Sequence, residues 1–161
     1  MSAQPKPLPV VVVDTREQTP LPFRNLPTIA GTLATGDYSF LGGEELFTVE
    51  RKSLADLTGC CCGDNRARFE RELHRLRGYR FKRLLVVGSM DAIEGHRYAS
   101  KVHPHAVRGS LAAWEVRYDI PVIFAPDPAA AAVLVERWVA YYAREIGQTA
   151  AAVQRLPATT P

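Results

Sequence analysis

Three side chains combine the types and spacing that phosphodiester hydrolysis needs: Asp37, Glu50 and Lys52. Hard divalent cations such as magnesium take oxygen ligands, usually one or two carboxylates completed by water and phosphate oxygens. A cation so held lowers the pKa of bound water and offsets charge developing on phosphate. An ammonium beside it can orient the attacking hydroxide or stabilise the crowded oxygens of the transition state. Two carboxylates and one lysine are therefore enough, provided the chain brings them to one place.

A β-hairpin does so. Gly36–Leu41 and Leu46–Lys52 read as strands about the turn Gly42-Gly43-Glu44-Glu45. With Leu41 opposite Leu46, Ser39 faces Thr48 and Asp37 faces Glu50. Directly opposed residues project to the same face with Cβ atoms about 4.5–5.5 Å apart. Strand alternation adds Lys52 to that face and turns Arg51 to the other. The competing reading is a cross-strand ion-pair cluster on an exposed hairpin. Like charges directly opposite destabilise a sheet, which favours a metal site over that cluster. Asp14 ends a valine run, Val10–Val13, that reads as a buried strand. A carboxylate there is costly unless something compensates it. Arg16 and Glu17 follow at once, and could pair with each other or with the sheet edge.

The remaining elements supply the frame. Gln18–Pro27 holds three prolines and reads as a loop. Ser53-Leu54-Ala55-Asp56 has the form of a capping box, so Asp56 has a purely local use as well as any chemical one. A helix is expected over 65–79, with Phe69, Leu73 and Leu76 as its buried stripe. Lys82–Gly88 follows as a strand, then a helix over 104–118, a strand over 120–124 and an alanine-rich helix over 128–146. Strands alternating with helices give an α/β class: a mixed sheet with helices on both faces and the candidate site on its hairpin. One domain over 9–147 is expected, with tails at 1–8 and 148–161.

Composition narrows the classes. The chain has 161 residues, 47% hydrophobic and 23% charged, which fits one globular domain and excludes a disordered or fibrous chain. No apolar run reaches the roughly 18–20 residues of a membrane helix, and MSAQPKPLPV lacks the order of a signal peptide, so no membrane partner and an intracellular protein are expected. The net charge is +3, but Glu50–Arg83 carries ten basic against five acidic residues, leaving the rest at −2. A basic stretch beside carboxylates fits a polyanion-binding surface with a metal site; a solvated helix face is the alternative. Cys60, Cys61 and Cys62 are consecutive and read as free thiols. His96, His103 and His105 read as surface or helix-start residues.

The motifs resemble one family. Gly36-Asp37, twelve intervening residues, Glu50-Arg51-Lys52, three more and Asp56 match the GD-x(n)-ERK-x3-D signature of XPF-type structure-specific nucleases. Val13-Asp14-Thr15-Arg16-Glu17 resembles their V-D-x-R-E segment. Arg68-Phe69 with Glu72-Leu73-His74-Arg75-Leu76 resembles their G-R-L-x-x-Q-x-x-R-M helix, Glu72 standing where the family has glutamine. The resemblance covers about residues 9–146 and implies a restriction-endonuclease-like PD-(D/E)XK core. It also implies a magnesium- or manganese-dependent endonuclease cutting branched or flap DNA in repair or recombination. Carried across, Asp37 and Glu50 bind metal, Lys52 serves the nucleophile, and Asp14 and Glu17 are further acids, Asp14 also a metal ligand. Arg16, Arg51 and Asp56 support the site, Asp56 as its closing acid. Arg66, Arg68 and Arg75 either contact DNA phosphates or solvate a helix, and the arginine of the family motif favours phosphate for Arg68. The family dimerises through this domain, so a homodimer or heterodimer is expected, with Trp114, Trp138, Tyr141 and Tyr142 as interface anchors or core filling. Many members continue into a helix-hairpin-helix module; a targeting partner could replace it. The site would work in the cytoplasm or nucleoid of a bacterium or phage, or in a nucleus. An inactive DNA-binding scaffold subunit, or a mobile-element nuclease acting on single strands or ends, are the other readings.

Overall fold

The hairpin forms in the expected register. In a computed structural model, which describes residues 7–155, Tyr38 pairs with Val49 across antiparallel strands. Gly42 makes the turn at φ +86°, a region open to glycine, and Gly43 N–H closes it on the Phe40 carbonyl at 2.9 Å. Around this hairpin, β3 (Tyr38–Phe40) and β4 (Phe47–Ser53), the chain lays down one six-stranded mixed sheet. The other strands are β1 (Val11–Asp14), β2 (Thr28–Gly31), β5 (Phe81–Val87) and β6 (Val122–Ala125), in the order β2-β1-β3-β4-β5-β6. β1 is antiparallel to β3, whereas β4, β5 and β6 run parallel and are joined by helical crossovers.

Alternation along the strands divides the core between two helical layers. Leu84 and Val86 of β5 pack with Leu57 of α1 (Leu54–Gly59), Phe69 and Leu73 of α2 (Gly63–Leu76), Ile93 of α3 (Met90–Glu94) and Trp114 of α4 (Pro104–Tyr118). Tyr38, Phe47, Val49 and Leu85 face the other way, onto Ala131, Val135 and Val139 of α5 (Pro128–Gln154). The expected α/β class with helices on both faces is therefore found, and α4 has the expected bounds. Ser53 caps α1 by accepting from Asp56 N–H.

Several boundaries differ, each for a physical reason. α2 starts at Gly63 and stops at Leu76 rather than running to 79, because Gly78 follows its last turn. β6 begins at Val122, just past Pro121, which has no N–H for a sheet ladder. β2 was not expected: its Thr-Ile-Ala-Gly is a mostly exposed edge with no apolar alternation, and pairing with β1 makes it a strand. α5 continues eight residues past Ile146, so 148–154 is helix and not tail. The run Thr149-Ala150-Ala151-Ala152 extends a helix already nucleated, which is cheap. The outermost parts of both expected tails, 1–6 and 156–161, lie outside the described residues. Among the described residues no helix is long and apolar enough to cross a membrane.

Candidate active site

Asp37 and Glu50 meet at the open end of the hairpin, in a cleft of about 220 Å3 that Asp14, Arg16, Lys52, Glu72 and Arg75 also line. The backbone aims Asp37: its N–H donates to the Val49 carbonyl at 2.9 Å, and its Oδ2 accepts from Arg51 N–H at 2.7 Å. Gly36 allows this approach. It sits at φ +81°, and a Cβ there would lie 2.0 Å from Thr48 Oγ1 and 3.2 Å from the Val49 carbonyl oxygen. We expect Gly36→Ala to cost about 2 kcal/mol or more, from left-handed strain and overlap together. Denaturant unfolding would measure it, and a loss under about 0.5 kcal/mol would contradict the geometry.

The pair is electrostatically tense. Glu50 is 2% exposed; Lys52 Nζ lies 2.5 Å from its Oε1, while Oε2 has no partner among the described residues. Burial, then the charge of Asp37, pushes the Glu50 carboxyl well above its ordinary value. Burial likewise raises Asp37 to about 6, the Arg51 N–H acting against it and the charges of Glu17 and Glu72 with it. Lys52 rests 4.9 Å over the Phe69 ring. Burial works against its charge, but Glu50 outweighs this and the ammonium is held above its usual range. The donor set fits a hard divalent cation: two converging carboxylates, one with an orphaned buried oxygen, open to a cleft where water and phosphate can complete the shell. Among the described residues no group of three or more His, Cys, Asp or Glu side chains is placed to hold a metal ion, so water and phosphate would supply the rest of the shell.

Other expected members are placed differently. Asp14 lines the cleft, but its carboxylate accepts from Arg16 N–H, Nε and Nη2 and from Leu33 N–H at 2.7–3.1 Å. Burial opposes its charge, yet these bonds hold its pKa below the ordinary value, so the charge is compensated without a cation. Arg16 pairs with Asp14, not with Glu17, and also donates to the Leu33 carbonyl.

Glu17 does not line the cleft. It accepts from Arg51 Nη2 at 2.7 Å, Tyr38 Oη at 3.1 Å and Thr19 N–H at 3.1 Å, on the α5 side of the sheet. The strand has ended at Asp14, and a turn closed by Glu17 N–H on the Asp14 carbonyl carries Glu17 across. Arg51 takes the outward, pairing position that alternation assigns it. Asp56 is exposed and accepts from Ser53 Oγ at 2.7 Å, completing the cap outside the cleft.

Among the arginines, Arg66 turns inward. It donates to Ser110 Oγ at 2.7 Å, pairs with Glu70 at 3.0 Å and lies over Trp114, so it is not offered to phosphate. Arg68 is exposed, and Arg75 stands at the cleft mouth. Glu72 is the acid the sequence reading did not place here: its Oε2 is 4.0 Å from Lys52 Nζ. Its spacing of three from Phe69, on the edge of the buried stripe, was the available signal.

Of the aromatic residues considered as interface anchors, Trp114 is 1% exposed against Phe69, and Tyr142 packs on Phe40, Phe47 and Phe81. Both fill the core; Trp138 is half-buried beside Phe81, and Tyr141 is exposed. The three thiols are free, and His103 caps α4.

Known proteins resemble this chain in sequence and in fold. The family model of the ERCC4 domain matches residues 13–137. The structure of XPF from Aeropyrum pernix is similar at a TM-score of 0.69 and 25% identity, over 86% of this chain and 64% of that one. XPF from Aeropyrum pernix in complex with DNA is similar in fold, with a TM-score of 0.67, 24% identity and coverage of 85% and 66%. The chain thus spans somewhat under two thirds of the first of these. No curated protein matches it significantly. A family model that covers most of the chain, from the end of the strand of Asp14 through the hairpin to the first ten residues of α5, places the chain in the ERCC4 domain family, the XPF-type family its motifs resemble.

Proposed function

We propose that the chain is a divalent-cation-dependent DNA endonuclease that hydrolyses phosphodiester bonds at branched or flap structures. The observation that carries this is the unpartnered Glu50 Oε2, buried beside Asp37 and within one side chain of Lys52. A buried polar atom without a partner calls for an explanation, and a cation with its water is the one that suits two acids and a lysine. Asp37 and Glu50 would hold magnesium or manganese, which supplies an activated water and offsets charge on the phosphate. Lys52 places a fixed ammonium at the cleft, worth most where water is excluded. Arg16, with a side chain 65% exposed and anchored on Asp14, offers its free guanidinium edge to an incoming phosphate. DNA as substrate is supported by the family and by the DNA complex of the similar XPF.

The test is incubation of the full chain with labelled flap, fork and linear DNA and magnesium or manganese. Cleavage of the branched forms, lost in Asp37→Ala, is expected. A wild-type chain that binds DNA yet never cuts it would overturn the reading in favour of a scaffold role.

A pH prediction follows from Asp37. Its folded pKa of about 6 exceeds the ordinary 3.8, so between these values the folded state holds the extra proton. Asp37 therefore contributes stability to the cation-free protein that is complete below about 4 and lost as pH climbs through about 6. A cation must displace that proton, so affinity should rise several-fold between pH 5 and 6.5. Manganese titration by calorimetry at several pH values reads it out; an affinity flat across that window would contradict the pairing.

A further inference from the structure

We propose that the outer face of α2 is a track for a single DNA strand, which it feeds into the cleft. Arg68, Arg71 and Arg75 stand at i, i+3 and i+7 on this helix, hence on one face, and all three are exposed. None has a carboxylate within 4 Å among the described residues, whereas Arg66 on the same helix pairs with Glu70. Three unneutralised guanidinium groups in a row are what a polyanion needs. A merely solvated helix face would be expected to pair some of them with its own acids.

The row leads to the site. Arg71 and Arg75 line an open groove of about 530 Å3 that also touches Tyr118 at the end of α4, and Arg75 lines the catalytic cleft as well. Glu70 is the one carboxylate along that groove, and it is neutralised by Arg66 at 3.0 Å, Trp114 Nε1 at 3.0 Å and Arg117 at 3.6 Å. The seven-residue span from Arg68 to Arg75 covers about 10 Å of helix axis. One DNA strand carries a charge about every 3.4 Å, so the row spans about three phosphates. A groove between two helices that ends at a single phosphodiester site suits one strand, which points to branched substrates with an unpaired tail. The inference rests on the proposed function only for where the strand goes; binding on the track needs no cleavage.

The test measures binding of the full chain, with chelator present, to a single-stranded oligonucleotide, a duplex with a single-stranded tail and a blunt duplex across a salt series. Three phosphate contacts on a single strand give a slope of log affinity against log salt near −2. Arg68→Gln with Arg71→Gln should flatten it by about 1.4 and weaken binding about 25-fold at 0.1 M salt. The preference for tailed over blunt duplex should vanish, with an unchanged thermal midpoint because both side chains are exposed. Arg137→Gln with Arg144→Gln on α5 should change none of these. An unchanged slope in the α2 variant, or a wild-type chain that binds blunt duplex as tightly as tailed, would overturn the track. Absence of cleavage with cation added would instead sink the proposed function and leave the salt slopes to decide the track.

Discussion

Changing Lys52 to methionine should lower single-turnover cleavage of flap DNA by about 10²–10³-fold, the cost of removing one fixed charge from a water-poor site. Methionine keeps most of the aliphatic volume over Phe69, so the loss would report the ammonium rather than packing. A second effect separates this residue from an ordinary surface lysine. Lys52 is the only cation within 4 Å of Glu50 among the described residues, and Glu50 is 2% exposed. Without it, the buried carboxylate has no partner on either oxygen, which is strongly destabilising unless the group protonates. The variant should therefore unfold more easily than wild type in chelator, most clearly at alkaline pH, and recover much of that loss when manganese is added. A rate within threefold of wild type would remove Lys52 from the mechanism. A deficit that manganese does not relieve would instead remove the cation from Glu50.

The contrast between Lys52 and its neighbours shows what a single sequence makes legible. Asp37, Glu50 and Lys52 share one cleft and Arg51 faces away because the side-chain period of a hairpin is two and its register fixes every position above the turn. Tyr38 opposite Val49 is that same register. Glu17 was misplaced because no period governs it: three residues from Asp14 along the chain, it lies beyond a turn and serves the opposite face. Arg66 looked like its neighbours Arg68 and Arg75, but it pairs with Glu70 one turn on and reaches α4. Ser110, 44 residues away, takes its guanidinium. β2 escaped because an exposed edge strand carries no hydrophobic pattern, and its pairing with β1 is a tertiary fact. Local periodicity carried the site, and long-range partners decided which nearby charges support it and which point elsewhere.

The most consequential of those long-range partners is Glu136, and removing it should destabilise the protein by about 3 kcal/mol. On an alanine-rich helix this residue looks like one more solvated acid, yet it is 4% exposed. Its carboxylate accepts from the backbone N–H groups of Arg24, Asn25 and Leu26 at 2.7–3.1 Å and from the Asn25 side chain. Glu136→Ala would leave three backbone donors without partners, each costing about 1–3 kcal/mol less whatever water recovers. The clamp fixes the far end of the loop after β1. The middle of that loop supplies Leu21 N–H to Tyr38 Oη, which in turn donates to Glu17, the partner of Arg51. The outer side of the hairpin that carries Asp37 and Glu50 is thus braced from α5.

The pH dependence of this clamp has a definite sign. Burial opposes the charge of Glu136, but the N–H groups of Asn25, Leu26 and Arg24 outweigh it and hold its pKa below the ordinary 4.5. Its contribution is therefore complete above that value and fades as pH falls through the lowered one. Glu136→Gln, which keeps an acceptor and the side-chain shape, should lose about 1 kcal/mol at neutral pH and show a flatter acid limb in its stability curve. Urea unfolding of wild type, Glu136→Gln and Glu136→Ala between pH 3 and 7 would measure both effects. Equal stability of all three at pH 7 would mean that the loop holds itself, and the brace behind Arg51 would then have to come from Glu17 and Tyr38 alone.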